Sequence, residues 1–169
     1  MFNEKKLDKG NLFFSWIQRS SDIFLQHMGI DLTEKDSEMS SIFHLAAAYP
    51  SSRPLKCIIS KCMNLDEQDS RGLTPLHRAC LEGLYKNAKI LLENGAKVNV
   101  QTKKGNTPLI MAARWGDLKL VQLLVSYNAN IEMVNNEGEK ALDKARNRPK
   151  KEGRDEEMIK FLHPLFRQL

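Results

Sequence analysis

The sequence lacks most of what secreted, membrane-spanning and metal-dependent proteins are built from. It has three cysteines in 169 residues, an odd number with no regular framework, which argues against a small domain stapled by disulfides. No apolar run approaches the roughly 20 residues needed to cross a bilayer. Near the N-terminus LFFSWI (12–17) is too short and too interrupted for a signal-peptide core, and no cleavage-type small-residue site follows. HPLFRQL (163–169) carries no prenylation cysteine. These absences predict a cytoplasmic protein without membrane insertion, and they leave nuclear entry or delivery into a host cell open. The hydrophobic fraction of 41% and charged fraction of 28% are those of ordinary globular chains.

What the sequence does have is repetition. Residues 72–104, GLTPLHRACLEGLYKNAKILLENGAKVNVQTKK, are followed at once by 105–137, GNTPLIMAARWGDLKLVQLLVSYNANIEMVNNE. A shift of 33 superposes Gly72 on Gly105, Thr74 on Thr107, Pro75 on Pro108, Leu76 on Leu109, Ala79 on Ala112, Gly83 on Gly116, Leu91 on Leu124 and Ala96 on Ala129. The slot of Asn99 departs, holding Glu132 in the second copy. Thr74 and Thr107 are N-cap residues, and Pro75 and Pro108 suit the first helical position, where a missing N–H costs nothing. Gly83 and Gly116 supply a tight turn into a second helix, whose apolar face is Ala88, Leu91 and Leu92 in one copy and Leu120, Val121, Leu123 and Leu124 in the other. Gly95 closes that helix with a left-handed residue. Its counterpart Asn128 is the next-best residue for that backbone.

The pattern TPLHRA (74–79), TPLIMAA (107–113), LLENGAKVN (91–99) and LLVSYNANI (123–131) resembles the ankyrin repeat. That resemblance implies an all-α solenoid of stacked helix–turn–helix units joined by short projecting hairpin loops. One such unit cannot bury its own apolar face, so about three or more must stack.

Further units are therefore expected on both sides. Residues 39–71 align by the same shift, with Ser41, Phe43, His44, Ala46 and Ala47 in the places of Thr74, Leu76, His77, Ala79 and Cys80. Pro50 replaces the loop glycine and Cys62 replaces Gly95, so this unit is expected to be less regular. Residues 1–38 read as a degenerate N-terminal cap in which Leu25, Gly29 and Leu32 match Leu91, Gly95 and Val98 at a shift of 66. The competing reading is a separate partner-binding helix built from Phe13, Phe14, Trp16 and Ile17. Residues 138–169 read as a C-terminal cap: Gly138, Leu142 and Ala145 keep the pattern, Lys140 and Ala141 replace Thr and Pro, and DEEMIKFL (155–162) aligns with DLKLVQLL (117–124) at a shift of 38. The five extra residues enter the inter-helix loop RNRPKKEGR (146–154), where closure entropy grows only slowly with length.

No set of residues asks for a cofactor, metal or small-molecule substrate. Of the four histidines, His44 and His77 share one slot and resemble the family's structural histidine, which ties neighbouring loops. No nucleophile with a base and an orienting acid stands out, so an enzyme is disfavoured. Cys57 and Cys62 are five apart, outside the usual spacing of zinc ligands. The glycines of GAKVNVQTKKG (95–105) are explained by the repeat and not by a phosphate loop. The basic segment KARNRPKKEGR (144–154) could meet nucleic acid, an acidic protein face or an import receptor, or be a solvated loop. With a net charge of only +5, no aromatic interleaving and DEE (155–157) directly after it, nucleic acid is the disfavoured partner.

The resemblance implies instead a protein partner, held by the hairpin tips and the exposed side of the first helices. Carried over slot by slot, that surface comprises Arg71, Leu73, Leu81 and Glu82 in one unit and Lys103, Lys104, Asn106, Arg114 and Trp115 in the next. Tyr49 and Arg148 come from the flanking units. Tyr49 and Trp115 occupy one slot two repeats apart. Trp, Tyr and Arg are the residues enriched in binding hot spots. The alternative is that Trp115 folds back as cover for the core.

Overall fold

The computed structural model describes residues 35, 38–61, 64–147 and 154–165. Eight helices fall in these residues: α1 (Ile42–Ala47), α2 (Arg53–Ile58), α3 (Pro75–Leu81), α4 (Tyr85–Glu93), α5 (Pro108–Trp115), α6 (Leu118–Ser126), α7 (Ala141–Arg146) and α8 (Arg154–Leu165). No strand is formed among the described residues beyond an isolated antiparallel bridge between Lys35 and Ser41. The all-α solenoid read from the sequence is the observed architecture.

The helices form four pairs in two layers. In the inner layer α1 packs on α3, α3 on α5 and α5 on α7, and in the outer layer α2 packs on α4, α4 on α6 and α6 on α8. Each inner helix also packs on its own outer partner. Small residues make the inner stacking possible: Ala46, Ala79, Ala112 and Ala145, one repeat apart, are 0–2% exposed. The large apolar side chains fill the space between layers, with Leu55, Ile58, Leu76, Leu91, Leu109, Leu120 and Leu124 fully buried. Burying each such side chain stabilises the stack by about 1.5–3 kcal/mol. The shift of 38 proposed for the last helix fits this core, because Met158 and Leu162 take the places of Leu120 and Leu124 and are 1% and 0% exposed.

Local signals act as the sequence indicates. Thr74 and Thr107 accept hydrogen bonds from the backbone N–H of His77 (3.4 Å) and Ile110 (3.2 Å). Left-handed residues close the second helices at Gly95 (φ 90°) and Asn128 (φ 61°). In the first pair, the shorter α2 runs on into a 3-10 turn at Ile59–Lys61, the irregularity expected there. Cys62 and, apart from Lys35 and Glu38, the whole of residues 1–38, read from the sequence as a degenerate cap and including Phe13, Phe14, Trp16 and Ile17, lie outside the described residues.

Candidate protein-binding surface

The surface is made of hairpin tips and the ends of the inner helices, and each tip is braced by one polar side chain per repeat. Asp69 Oδ1 accepts the N–H of Arg71 (2.9 Å) and Leu73 (2.8 Å). One repeat on, Thr102 Oγ1 accepts the N–H of Asn106 (3.1 Å). One further, Asn135 Oδ1 accepts the N–H of Glu137 (3.0 Å) and Glu139 (2.9 Å). Gln68 and Gln101 each donate from Nε2 to their own hairpin, at Gly72 and Gly105, and to the next, at the carbonyls of Gln101 and Val134, all at 2.8–2.9 Å.

The tips are also joined to one another. Ser70 N–H donates to the Glu38 carbonyl (2.8 Å), Lys103 N–H to Arg71 (3.1 Å) and Asn136 N–H to Lys104 (3.1 Å). This three-rung ladder brings backbone so close that a Cβ on Gly72 would lie 2.6 Å from Lys103 N, and one on Gly105 would lie 2.7 Å from Asn136 N. Both glycines also have φ near 75°, so backbone angle and space alike exclude a side chain.

Histidine relays fix the first three pairs beneath the tips. His44 Nδ1 accepts the Ser41 N–H (3.1 Å), which leaves its proton on Nε2 to donate to the Leu73 carbonyl (2.9 Å). His77 repeats this with the Thr74 N–H (3.1 Å) and the Asn106 carbonyl (3.1 Å). Burial lowers both imidazole pKa values, His77 to about 4, so both rings are neutral at pH 7. With both nitrogens engaged in structure, neither ring is placed to move a proton for a substrate. Between the third and fourth pairs, Ile110 and Asp143 stand in the histidine slot. The link there runs through Asn135, whose amide donates to Asn106 Oδ1 (3.2 Å) and to Glu139 (3.3 Å), and Lys144 braces the fourth hairpin on its own helix by pairing with Glu137 and Glu139. Lys144 holds the Glu139 carboxyl down at about 2, and Glu139 raises Lys144.

Two polar anchors could not be picked out from the sequence. The Arg78 guanidinium donates to Asp69 (2.7 Å), Ser40 (3.1 Å) and Glu38 (3.4 Å), tying two hairpins together. Burial pushes the Asp69 carboxyl up, but the Leu73 and Arg71 N–H groups and Arg78 together hold it below the usual range. Asn87, 1% exposed, donates to the carbonyls of Ala47 (3.0 Å) and Tyr49 (2.8 Å) at the end of α1. The hairpin braces, by contrast, leave a signal in the 33-residue recurrence of Asp69, Thr102 and Asn135, three residue types that accept bonds from nearby backbone. Nothing in the repeat marks Asn87, whose slot holds Leu120 in the next copy.

Against this frame the residues assigned to partner binding separate. Arg71, Glu82, Lys103, Lys104, Arg114 and Trp115 are exposed, and Leu81 is half-buried. Leu73 is a correction: at 5% exposure it points into the stack, because its N–H is held by Asp69 and its carbonyl by His44. Asn106 is half-buried and its polar atoms serve the hairpins. Tyr49 packs partly buried on the core, whereas Trp115 in the same slot is 55% exposed. Arg148 lies outside the described residues. Among the described residues no group of His, Cys, Asp and Glu could hold a metal ion, and no helix is long and apolar enough to cross a membrane.

Comparison with known proteins agrees with this geometry. A family model described as ankyrin repeats (3 copies) matches residues 17–102, and another, ankyrin repeats (many copies), matches residues 91–145. A search of curated proteins gave no match to the chain. Ankyrin repeats are generally protein–protein interaction modules and typically non-catalytic. With its two-layer stack, braced tips and these two matches, the chain belongs to the ankyrin-repeat family.

Proposed function

We propose that this protein is a non-catalytic adaptor, scaffold or inhibitor, working in the cytoplasm, that grips a protein partner with its concave helix face and hairpin tips. On this reading residues 39–71, 72–104 and 105–137 are internal repeats, with caps at 1–38 and 138–169. The observation that carries it is Trp115, an exposed indole at the end of α5 beside exposed Arg114. The helix that presents it is fixed at its start by Thr107 and at its sides by α3 and α7. A stiff, amphipathic side chain on a fixed helix has only its own few torsions to lose on binding. Arg71, Glu82, Lys103 and Lys104 extend the same surface along the tips, with Leu81 beside them.

The test is a pull-down from a relevant lysate with the parent and with the double variant Trp115→Ala, Arg114→Ala. Loss of a hot spot weakens capture by about 30-fold or more, with thermal unfolding within about 0.5 kcal/mol of the parent. Capture that is unchanged removes this surface as the site. The alternative role of 144–154 in a nuclear or nucleic-acid regulator has less support. Lys144, its first cation, is engaged by Glu137 and Glu139, and Lys150 and Lys151 lie outside the described residues.

A further inference from the structure

The charges of the third helix pair are unevenly matched. Of the carboxylates between 105 and 137, Glu132 pairs with Lys140, Glu137 pairs with Lys144, and Asp117 accepts the Leu120 N–H at the start of α6 (3.0 Å). The cations around the same pair, Lys103 and Lys104 at the tip, Arg114 at the end of α5 and Lys119 on α6, meet no carboxylate among the described residues. Elsewhere on the tips the cations are taken: Arg71 approaches Glu38 (3.8 Å), Arg78 is bound by Asp69 and Glu38, and Lys140 and Lys144 have partners. Among these unmatched cations, Arg114 stands directly beside the exposed Trp115.

Resting on the proposed protein-binding role, we infer that the partner contributes a short acidic segment laid along the third pair, with one large apolar side chain against Trp115 and its carboxylates toward Arg114, Lys103 and Lys104. The eight residues of α5 span about 12 Å at 1.5 Å per residue, which an extended peptide covers in about four residues. Five to seven residues, roughly, reach from the indole to the tip. Glu82 occupies the Trp115 slot one repeat earlier and is exposed, so it repels the acids from the second pair and fixes which way the segment runs. A nucleic-acid strand fits less well. Glu38, Glu82 and Glu137 interrupt any cationic track along the tips. Among the described residues the other exposed aromatic, Tyr85, begins an outer helix and does not repeat the Trp115 slot, which holds Glu82 in that pair, so no regular series of rings is offered to successive bases.

The experiment selects random twelve-residue peptides by display against the full chain and measures affinities of synthetic copies. Enriched peptides should combine an excess of Asp and Glu with one aromatic or large aliphatic residue. Lys103→Glu with Lys104→Glu should weaken them about tenfold or more, as should Trp115→Ala. Lys86→Glu with Lys119→Glu, the same change in net charge at exposed cations of α4 and α6, should change affinity less than about twofold. Peptides that need Trp115 but are neutral, or indifferent to the Lys103 and Lys104 reversal, overturn the acidic segment and leave the proposed function standing. Peptides indifferent to Trp115 as well overturn both. An empty selection, or a single-stranded thymidine oligonucleotide that binds through the same residues, also overturns the inference. Circular dichroism of each variant separates lost contact from lost fold.

Discussion

The junctions on the two sides of the third helix pair have the same shape and different chemistry. Toward the N-terminus a buried neutral imidazole spans the gap, His77 reaching the Asn106 carbonyl. Toward the C-terminus the same place is spanned by an amide, Asn135 to Asn106, while Asn135 and Lys144 hold Glu139 and so brace the fourth hairpin on α7. Both carry the same backbone rung between tips, Lys103 to Arg71 and Asn136 to Lys104, each at 3.1 Å. The repeat therefore dictates the spacing, while different polar side chains can bridge it.

The largest effect expected of any single change tests the shared part. Gly72→Ala and Gly105→Ala each force a Cβ into backbone at 2.6–2.7 Å in a left-handed residue. Each should cost about 3–4 kcal/mol, measured by denaturant unfolding. Similar losses at the two sites support a common tip-to-tip limit, and a harmless alanine at either would refute it.

Next comes acid, which should pull the two junctions apart. The folded pKa of His77, about 4, lies below its ordinary 6.5, so the unfolded chain binds more protons between those values. Its contribution is complete above pH 6.5 and is lost as pH falls toward 4, about 3 kcal/mol in all. Glu139, at about 2 against an ordinary 4.5, has the lower window: its contribution is present above pH 4.5 and disappears toward 2. Hydrogen exchange followed from pH 7 to pH 4 should thus show protection falling in α1 and α3 before α7. Simultaneous loss throughout would mean that the histidine link does not govern the first junctions.

A smaller loss, about 1–2 kcal/mol, is expected for Gly95→Val. This residue is left-handed (φ 90°), yet a Cβ there meets nothing within 4 Å. Set beside Gly105→Ala, it separates backbone strain from collision. The smallest effect has the opposite sign. Met39, one repeat before Gly72, holds φ 60° with a side chain attached. Met39→Gly relieves about 1–2 kcal/mol of strain and gives back about half as unfolded-state entropy. Thermal unfolding should rise by a few degrees, and a fall would show that the methionine side chain contributes contacts the backbone angle conceals.

How far these features were legible follows from what repetition can carry. Thr74, Thr107, Gly95 and Asn128 act through their own local backbone, and Met158 and Leu162 through a period, so the sequence alone placed them. Leu73 did not behave as its slot implied, because which way a hairpin residue faces depends on bonds from Asp69 in the same hairpin and from His44 in the preceding repeat, 29 residues away. Tyr49 and Trp115 share a slot and differ in exposure: Asn87 of the following outer helix anchors the Tyr49 carbonyl, whereas the matching place in the outer helix after Trp115 holds Met158, which has no N–H to donate from its side chain. Side chains that cross between repeats, such as Arg78 to Glu38 and Asn87 to Tyr49, leave no mark in a self-alignment.

Gly138 carries one last consequence. It keeps the left-handed turn of Gly72 and Gly105 (φ 76°), but a Cβ added there would touch nothing within 4 Å, whereas theirs would strike the following tip. No further tip packs on the fourth hairpin among the described residues. A duplicate of 105–137 spliced in after residue 137 would inherit matched surfaces on both flanks, so the array could be lengthened from within, one module at a time, without redesigning either end.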